Sequence, residues 1–105
     1  MAVIEKDKEI ELVAKRINAI AHPLRLAIVC QLVDGRELCV GEIVEAVKTT
    51  RPNGSQHLQR LANQGLLHSQ REGNRVIYSI SDRRLASIIA MVRDVYCVSR
   101  AGRRW

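Results

Sequence analysis

Arg51, Asn53, Ser55, Gln56, Gln59 and Arg60 fall within one short stretch and offer fork-shaped cations, amides and a hydroxyl. These groups pair with guanine and adenine edges and with phosphate oxygens in the major groove of DNA. The same composition suits the outer face of a solvated amphipathic helix, so the elements that carry the side chains must decide between the two.

Upstream, Val40, Ile43, Val44 and Val47 recur at helical spacing. After a break at Lys48, Thr49 and Thr50, Leu58 and Leu61 anchor a second helix. Thr49 or Thr50 can cap that helix with its hydroxyl, and Pro52 stands in a first turn, where a missing N–H costs nothing. Two short helices joined by a tight connection form a helix-turn-helix, whose second member is the recognition helix. Thr50 at its start joins the six polar residues as a candidate DNA contact.

The flanking chain fits this reading. Ile10, Val13, Ile17 and Ile20 mark an amphipathic first helix that ends near His22 and Pro23. Leu24 to Val33 is apolar nearly all round and stops at Asp34 and Gly35, as a central core helix would. Gly65 ends the recognition helix. Two strand-like runs, 66–70 and 75–80, then flank a turn at Arg71, Glu72, Gly73 and Asn74, which predicts a hairpin wing with Arg71 and Arg75 at its tip, facing a phosphate or the minor groove. An ordinary surface hairpin is the plainer alternative.

Ser81 or Asp82 caps a last helix striped with Leu85, Ile88, Ile89, Val92 and Tyr96. That stripe is wider than one small domain needs, so the first and last helices are expected to pair with those of a second copy, setting two recognition helices about one DNA turn apart. The expected fold is mainly α with a small β-hairpin, in the order α-α-α-α-β-β-α, as a single domain over residues 1–105.

The chain has 105 residues, enough for one core and too few for a second domain. Although 47% of it is hydrophobic, no run nears the roughly 18 apolar residues of a membrane span. The N-terminus is too charged for a secretory signal, so a soluble cytoplasmic protein without membrane contact is expected. Net charge is +6, with a pI near 9.8. The excess is placed: Arg51, Arg60, Arg71 and Arg75 face a lone Glu72 between Thr49 and Ser81, and Arg100, Arg103 and Arg104 follow in the tail. An anionic partner whose binding weakens with salt is implied. No carboxylate pair, nucleophile-base set or glycine-rich phosphate loop points to an enzyme or to a bound cofactor.

With these elements in order, AHPLRLAIVCQL, ELCVGEI, SQHLQRL and LLHSQREGNRVIYSI make residues 9–97 similar to the ArsR/SmtB family of bacterial winged-helix repressors. The resemblance implies a homodimer that binds an inverted-repeat, double-stranded DNA operator and leaves it when an inducer is sensed. One residue departs from the pattern: Gly54 stands where relatives usually carry an apolar side chain, and glycine costs a helix about 1 kcal/mol against alanine.

The inducer is narrowed by what the chain carries. Many relatives bind zinc between their last helices through carboxylates and histidines, but residues 82–97 contain no histidine. Others hold soft metals through a Cys-Val-Cys motif; here Cys39 is kept and Gly41 replaces the second thiol, which leaves one thiolate where soft ions need more. His22, His57 and His68 have no metal-ligand spacing to one another, and His57, like the helix histidine of relatives, is expected to pack or hydrogen-bond. No metal site is expected.

Three cysteines in a cytosolic chain point to reactivity, ligation or plain core packing rather than structural disulfides. Cys30 in the second helix and Cys97 at the end of the last look like the thiol pair of the family's redox- and persulfide-sensing branch. That likeness implies Cys30 and Cys97 as sensors of reactive sulfur species or an oxidant, with Cys39 a bystander. The alternatives are an arsenic or soft-metal sensor using Cys30, Cys39 and Cys97 together, and a ligand-independent DNA-architectural protein.

Overall fold

The computed structural model describes the backbone of residues 2–96 and the side chains of residues 7–95. Cys97, the Tyr96 side chain and the arginines of the tail lie outside the described residues. The elements are α1 (Ala2–Ile20), α2 (Pro23–Leu32), β1 (Leu38–Cys39), α3 (Val40–Val47), α4 (Arg51–Asn63), β2 (Leu67–Glu72), β3 (Arg75–Ile80) and α5 (Arg83–Tyr96). The order expected from sequence is present, with one short strand added. Among the described residues no helix is long and apolar enough to cross a membrane.

Helix α2 is the hub. His22 caps it, its Nδ1 accepting from the Leu24 N–H at 3.2 Å, and Pro23 occupies its first turn. Its apolar surface packs on α1, α3, α4 and α5, and Ile28, Val29 and Leu32 are almost wholly buried. Ile43 of α3, Leu58 and Leu61 of α4, and Ile89 of α5 close on it. Removing one such side chain costs about 2–5 kcal/mol through lost burial and the cavity left behind.

Strand β1 is two residues long, too short for any alternation to reveal. It pairs antiparallel with β3, Leu38 opposite Tyr78 and Cys39 opposite Ile77, and makes the wing a three-stranded sheet in the order β1-β3-β2. The wing turn is also tighter than the expected tetrad. Arg71 and Glu72 belong to β2, paired with Val76 and Arg75, so the turn is Gly73-Asn74 alone, with Gly73 at φ +62°. A positive φ at the first central residue only is the pattern of a type II′ turn, whose twist matches that of the strands. Directly paired residues share a face of the sheet. Arg71 and Arg75 both stand beside the turn, Arg71 on the face of Val76 and Tyr78 and Arg75 on the opposite one.

The last helix is capped by Asp82, whose Oδ1 accepts from the Arg84 N–H at 2.8 Å. Its apolar stripe divides: Ile89 turns into the core, whereas Ile88, Met91, Val92 and Val95 form an exposed row at helical spacing. On α1 Ile10, Leu12, Val13 and Ile17 are exposed as well. One copy of the chain leaves both faces in water.

Candidate nucleic-acid interface

The connection between α3 and α4 is fixed by its backbone. Lys48 adopts the left-handed conformation at φ 59°, and its N–H and that of Thr49 both donate to the Val44 carbonyl. Thr50 then caps α4: its Oγ1 accepts from the Asn53 N–H at 3.2 Å, while Asn53 Nδ2 donates to Thr49 Oγ1 at 2.9 Å. Two of the candidate DNA contacts, Thr50 and Asn53, are thus engaged in starting the helix.

The two faces of α4 separate cleanly. Gly54, Leu58 and Leu61 are buried, whereas Arg51, Pro52, Gln56, Gln59, Arg60 and Asn63 are exposed and Ser55 is half-buried. Gln56, Gln59, Arg60 and Asn63 stand about one helical turn apart on the outer face, a row of amides and a guanidinium that is exposed among the described residues. Asn63 escaped sequence reasoning because it lies beyond the apolar anchors, next to the helix end. Gly54 faces α3 so closely that a Cβ there would meet Val44 Cγ1 at 2.3 Å. Gly54 is thus a point of close approach between the two helices.

The wing is tied to α3. Glu42 Oε1 accepts from the Cys39 N–H at 2.9 Å and lies 3.6 Å from Arg75 Nη2. The Cys39 hydrogen bond, seconded by Arg75 and Arg36, holds the Glu42 carboxyl below the usual carboxylate value. Arg75 thus stands beside Glu42 of α3 while remaining exposed, and Arg71 is exposed on the other face.

The fold brings together two histidines that sequence spacing kept apart. The rings of His22 and His57 lie 4.9 Å apart, and Arg25 Nη1 is 3.5 Å from His57 Nδ1 while its Nε donates to the Ala19 carbonyl. Burial, with His22, Arg25 and Arg60 nearby, lowers the His57 pKa below the ordinary histidine value. The neutral ring is the form the fold favours, so its contribution is full above about pH 6.5 and is lost as pH falls from there through the folded-state value. Urea unfolding at pH 8 and pH 5 should show a loss of stability in acid that is smaller in His57→Gln. Equal losses in both proteins would assign the acid sensitivity elsewhere. His68 is exposed on β2.

Cys30 is half-buried on α2 and packs against the core. Helix α2 lies against α5, and Cys97 follows directly on the last residue of α5. Cys39 is the last residue of β1 and the N-cap of α3.

An exposed polar recognition helix, a capped two-helix turn and a strand-tethered hairpin define a winged helix-turn-helix DNA-binding protein. Comparison with known proteins agrees. Residues 22–69 match the family described as bacterial regulatory protein, arsR family. The chain is 37% identical over 87 residues to the HTH-type transcriptional regulator YgaV of Escherichia coli, covering 83% of this chain and 88% of that protein. The structure of reduced HlyU from Vibrio cholerae superposes with a TM-score of 0.80 at 31% identity, covering 89% of this chain and 97% of that one. The homodimeric winged helix-turn-helix domain of Mb0332 from Mycobacterium bovis does so with a TM-score of 0.78 at 32% identity, covering 86% and 82%. The chain belongs to the ArsR family of transcriptional regulators, DNA-binding proteins rather than enzymes.

Proposed function

We propose that the chain is a homodimeric repressor that holds operator DNA in its reduced state and leaves it when Cys30 and Cys97 become bridged by reactive sulfur or an oxidant. The observation that carries the sensing half is the packing of α2, which bears Cys30, on α5, which leads into Cys97. The apolar rows left exposed on α1 and α5 support the dimer, as does the homodimeric state of the Mb0332 domain. A relative described in its reduced form, HlyU, is consistent with redox sensing.

The chemistry balances without a cofactor. One thiolate takes the outer sulfur of a low-molecular-weight persulfide and releases the parent thiol. The second thiolate then attacks the protein persulfide, forming a disulfide and expelling sulfide, so that two cysteines are oxidised and one sulfane sulfur is reduced. A direct bridge needs α-carbons within about 7 Å, and retained sulfur atoms would span more. Bridging α2 to α5 would bias the position of the two recognition helices, a coupling of typically about 1–3 kcal/mol. The DNA contacts proposed are Arg51, Gln56, Gln59 and Arg60 on base edges and phosphates, Ser55 and Arg71 on phosphates, and Thr50, Asn53 and Arg75 chiefly as holders of the helix and wing.

The test is intact mass and peptide mapping of the reduced protein after anaerobic glutathione persulfide, hydrogen peroxide or arsenite, with operator titrations on the same samples. A Cys30–Cys97 sulfur bridge that weakens DNA binding at least fivefold is expected, lost in Cys30→Ser and kept in Cys39→Ser. Retained arsenite with DNA released, abolished by Cys39→Ser, would overturn the sulfur switch in favour of a soft-metal sensor. DNA binding indifferent both to the reagents and to sequence would leave an architectural protein.

A further inference from the structure

The C-terminal end of the recognition helix is finished twice over. Gln64 ends the helix and Gly65 follows at φ +79°; the Gly65 N–H donates to the Ala62 carbonyl and the Leu66 N–H to that of Leu61. This is a Schellman motif, complete with the apolar contact of buried Leu61 and Leu66, and it stops the helix without outside help. Two more donors nevertheless reach the same place from distant elements. Arg16 of α1 donates from Nε to the Gln64 carbonyl at 3.2 Å, and Ser81, at the approach to α5, donates from Oγ to the Gly65 carbonyl at 2.6 Å. The Ser81 N–H also donates to the Leu66 carbonyl at 3.1 Å.

Water would satisfy these exposed carbonyls about as well, so the two side chains add little to the stability of the fold. What they add is direction. Successive carbonyls at one end of α4 are held by α1 and by Ser81, which links β3 to the cap of α5, and both donors line a groove of about 510 Å³ together with Val13 and Ile17 of α1 and Leu85 and Ile88 of α5. A change in the separation of α1 and the start of α5 would reach Gln64 and Gly65 through separate bonds. Helix α4 has 13 residues, a length of about 20 Å, so a tilt of about 10° at this end carries its first turn some 3 Å sideways, a whole hydrogen-bond length.

We propose that Arg16 and Ser81 are positioning residues for operator reading, a two-point hitch through which the arrangement of α1 and α5 sets the angle of the recognition helix. The proposal rests on the reading that α4 meets base edges and that α1 and α5 form the subunit interface. Neither side chain needs to touch DNA.

The test uses the full chain, with duplexes selected by the wild type from random DNA and a scrambled duplex as control. Operator and scrambled affinities are measured by anisotropy, dimerisation by sedimentation and Tm by calorimetry. Arg16→Ala and Ser81→Ala should each lower operator affinity about tenfold, leave scrambled-DNA affinity within twofold, and keep the dimer and Tm. Arg16→Lys and Ser81→Thr, which retain a donor, should recover most of the loss. Discrimination within twofold of wild type in both alanine variants overturns the hitch alone. Loss that tracks a fall in Tm or in dimer, or that the conservative variants fail to restore, also overturns it. A wild type that cannot tell selected from scrambled DNA removes the underlying reading of α4, and the hitch with it.

Discussion

Gly54→Ala should destabilise the fold by about 1–3 kcal/mol, the cost typical of forcing a methyl group into a filled contact. Helix propensity alone predicts a gain of up to about 1 kcal/mol, so the sign of the result separates the two effects. The new Cβ would lie 2.3 Å from Val44 Cγ1 and 3.4 Å from Thr49 Cγ2. Val44 cannot swing aside cheaply, because a β-branched side chain in a helix has one strongly preferred rotamer. Val44→Ala should therefore restore much of what Gly54→Ala loses, so that in urea unfolding the double variant is more stable than the Gly54→Ala single. Strict additivity of the two changes would show that Val44 is not the obstacle.

Alanine at Gln56 and Gln59 together should abolish most operator discrimination while leaving non-specific binding nearly intact. Both amides lie on the exposed outer face of α4, and a good bidentate contact is worth about 1–3 kcal/mol of preference for one base over another. The expected loss is roughly tenfold per side chain against a selected operator, with an unchanged salt slope, because neither residue carries charge. Arg60→Ala should instead weaken binding to every duplex and flatten the salt dependence. A double amide variant that loses selected and scrambled DNA equally would mean that α4 does not read bases.

Much of this is legible in the sequence alone. The apolar run of α2, the capping threonine with its nearby proline and the helical spacing of Val40 to Val47 are local signals, and local signals survive folding. What escaped depended on partners far along the chain. Two residues of β1 have no periodicity to read, and only the opposing Tyr78 and Ile77 make them a strand. The wing turn looked longer because Arg71 and Glu72 are polar, yet an exposed strand near its hairpin tolerates polar side chains. The pairing of Arg75 with Glu42 of α3 joins residues far apart in the chain, which spacing alone does not reveal. Met91 and Val95 extend the open face of α5, and Asn63 extends that of α4. Gly54 was visible as an oddity and unexplained, since the reason lies on the neighbouring helix. Cys97 lies outside the described residues, so the proposed thiol pair rests on the packing of its helix.

The pairing of Leu38 with Tyr78 also makes the DNA-facing half a cassette. The chain passes into it and out of it at two residues only one strand spacing apart, about 5 Å. Everything between them, both helices of the reading head and the wing, forms a closed excursion seated on α2. A graft of this segment from a relative would therefore enter and leave the chain at one place, with α1, α2 and α5 left outside it.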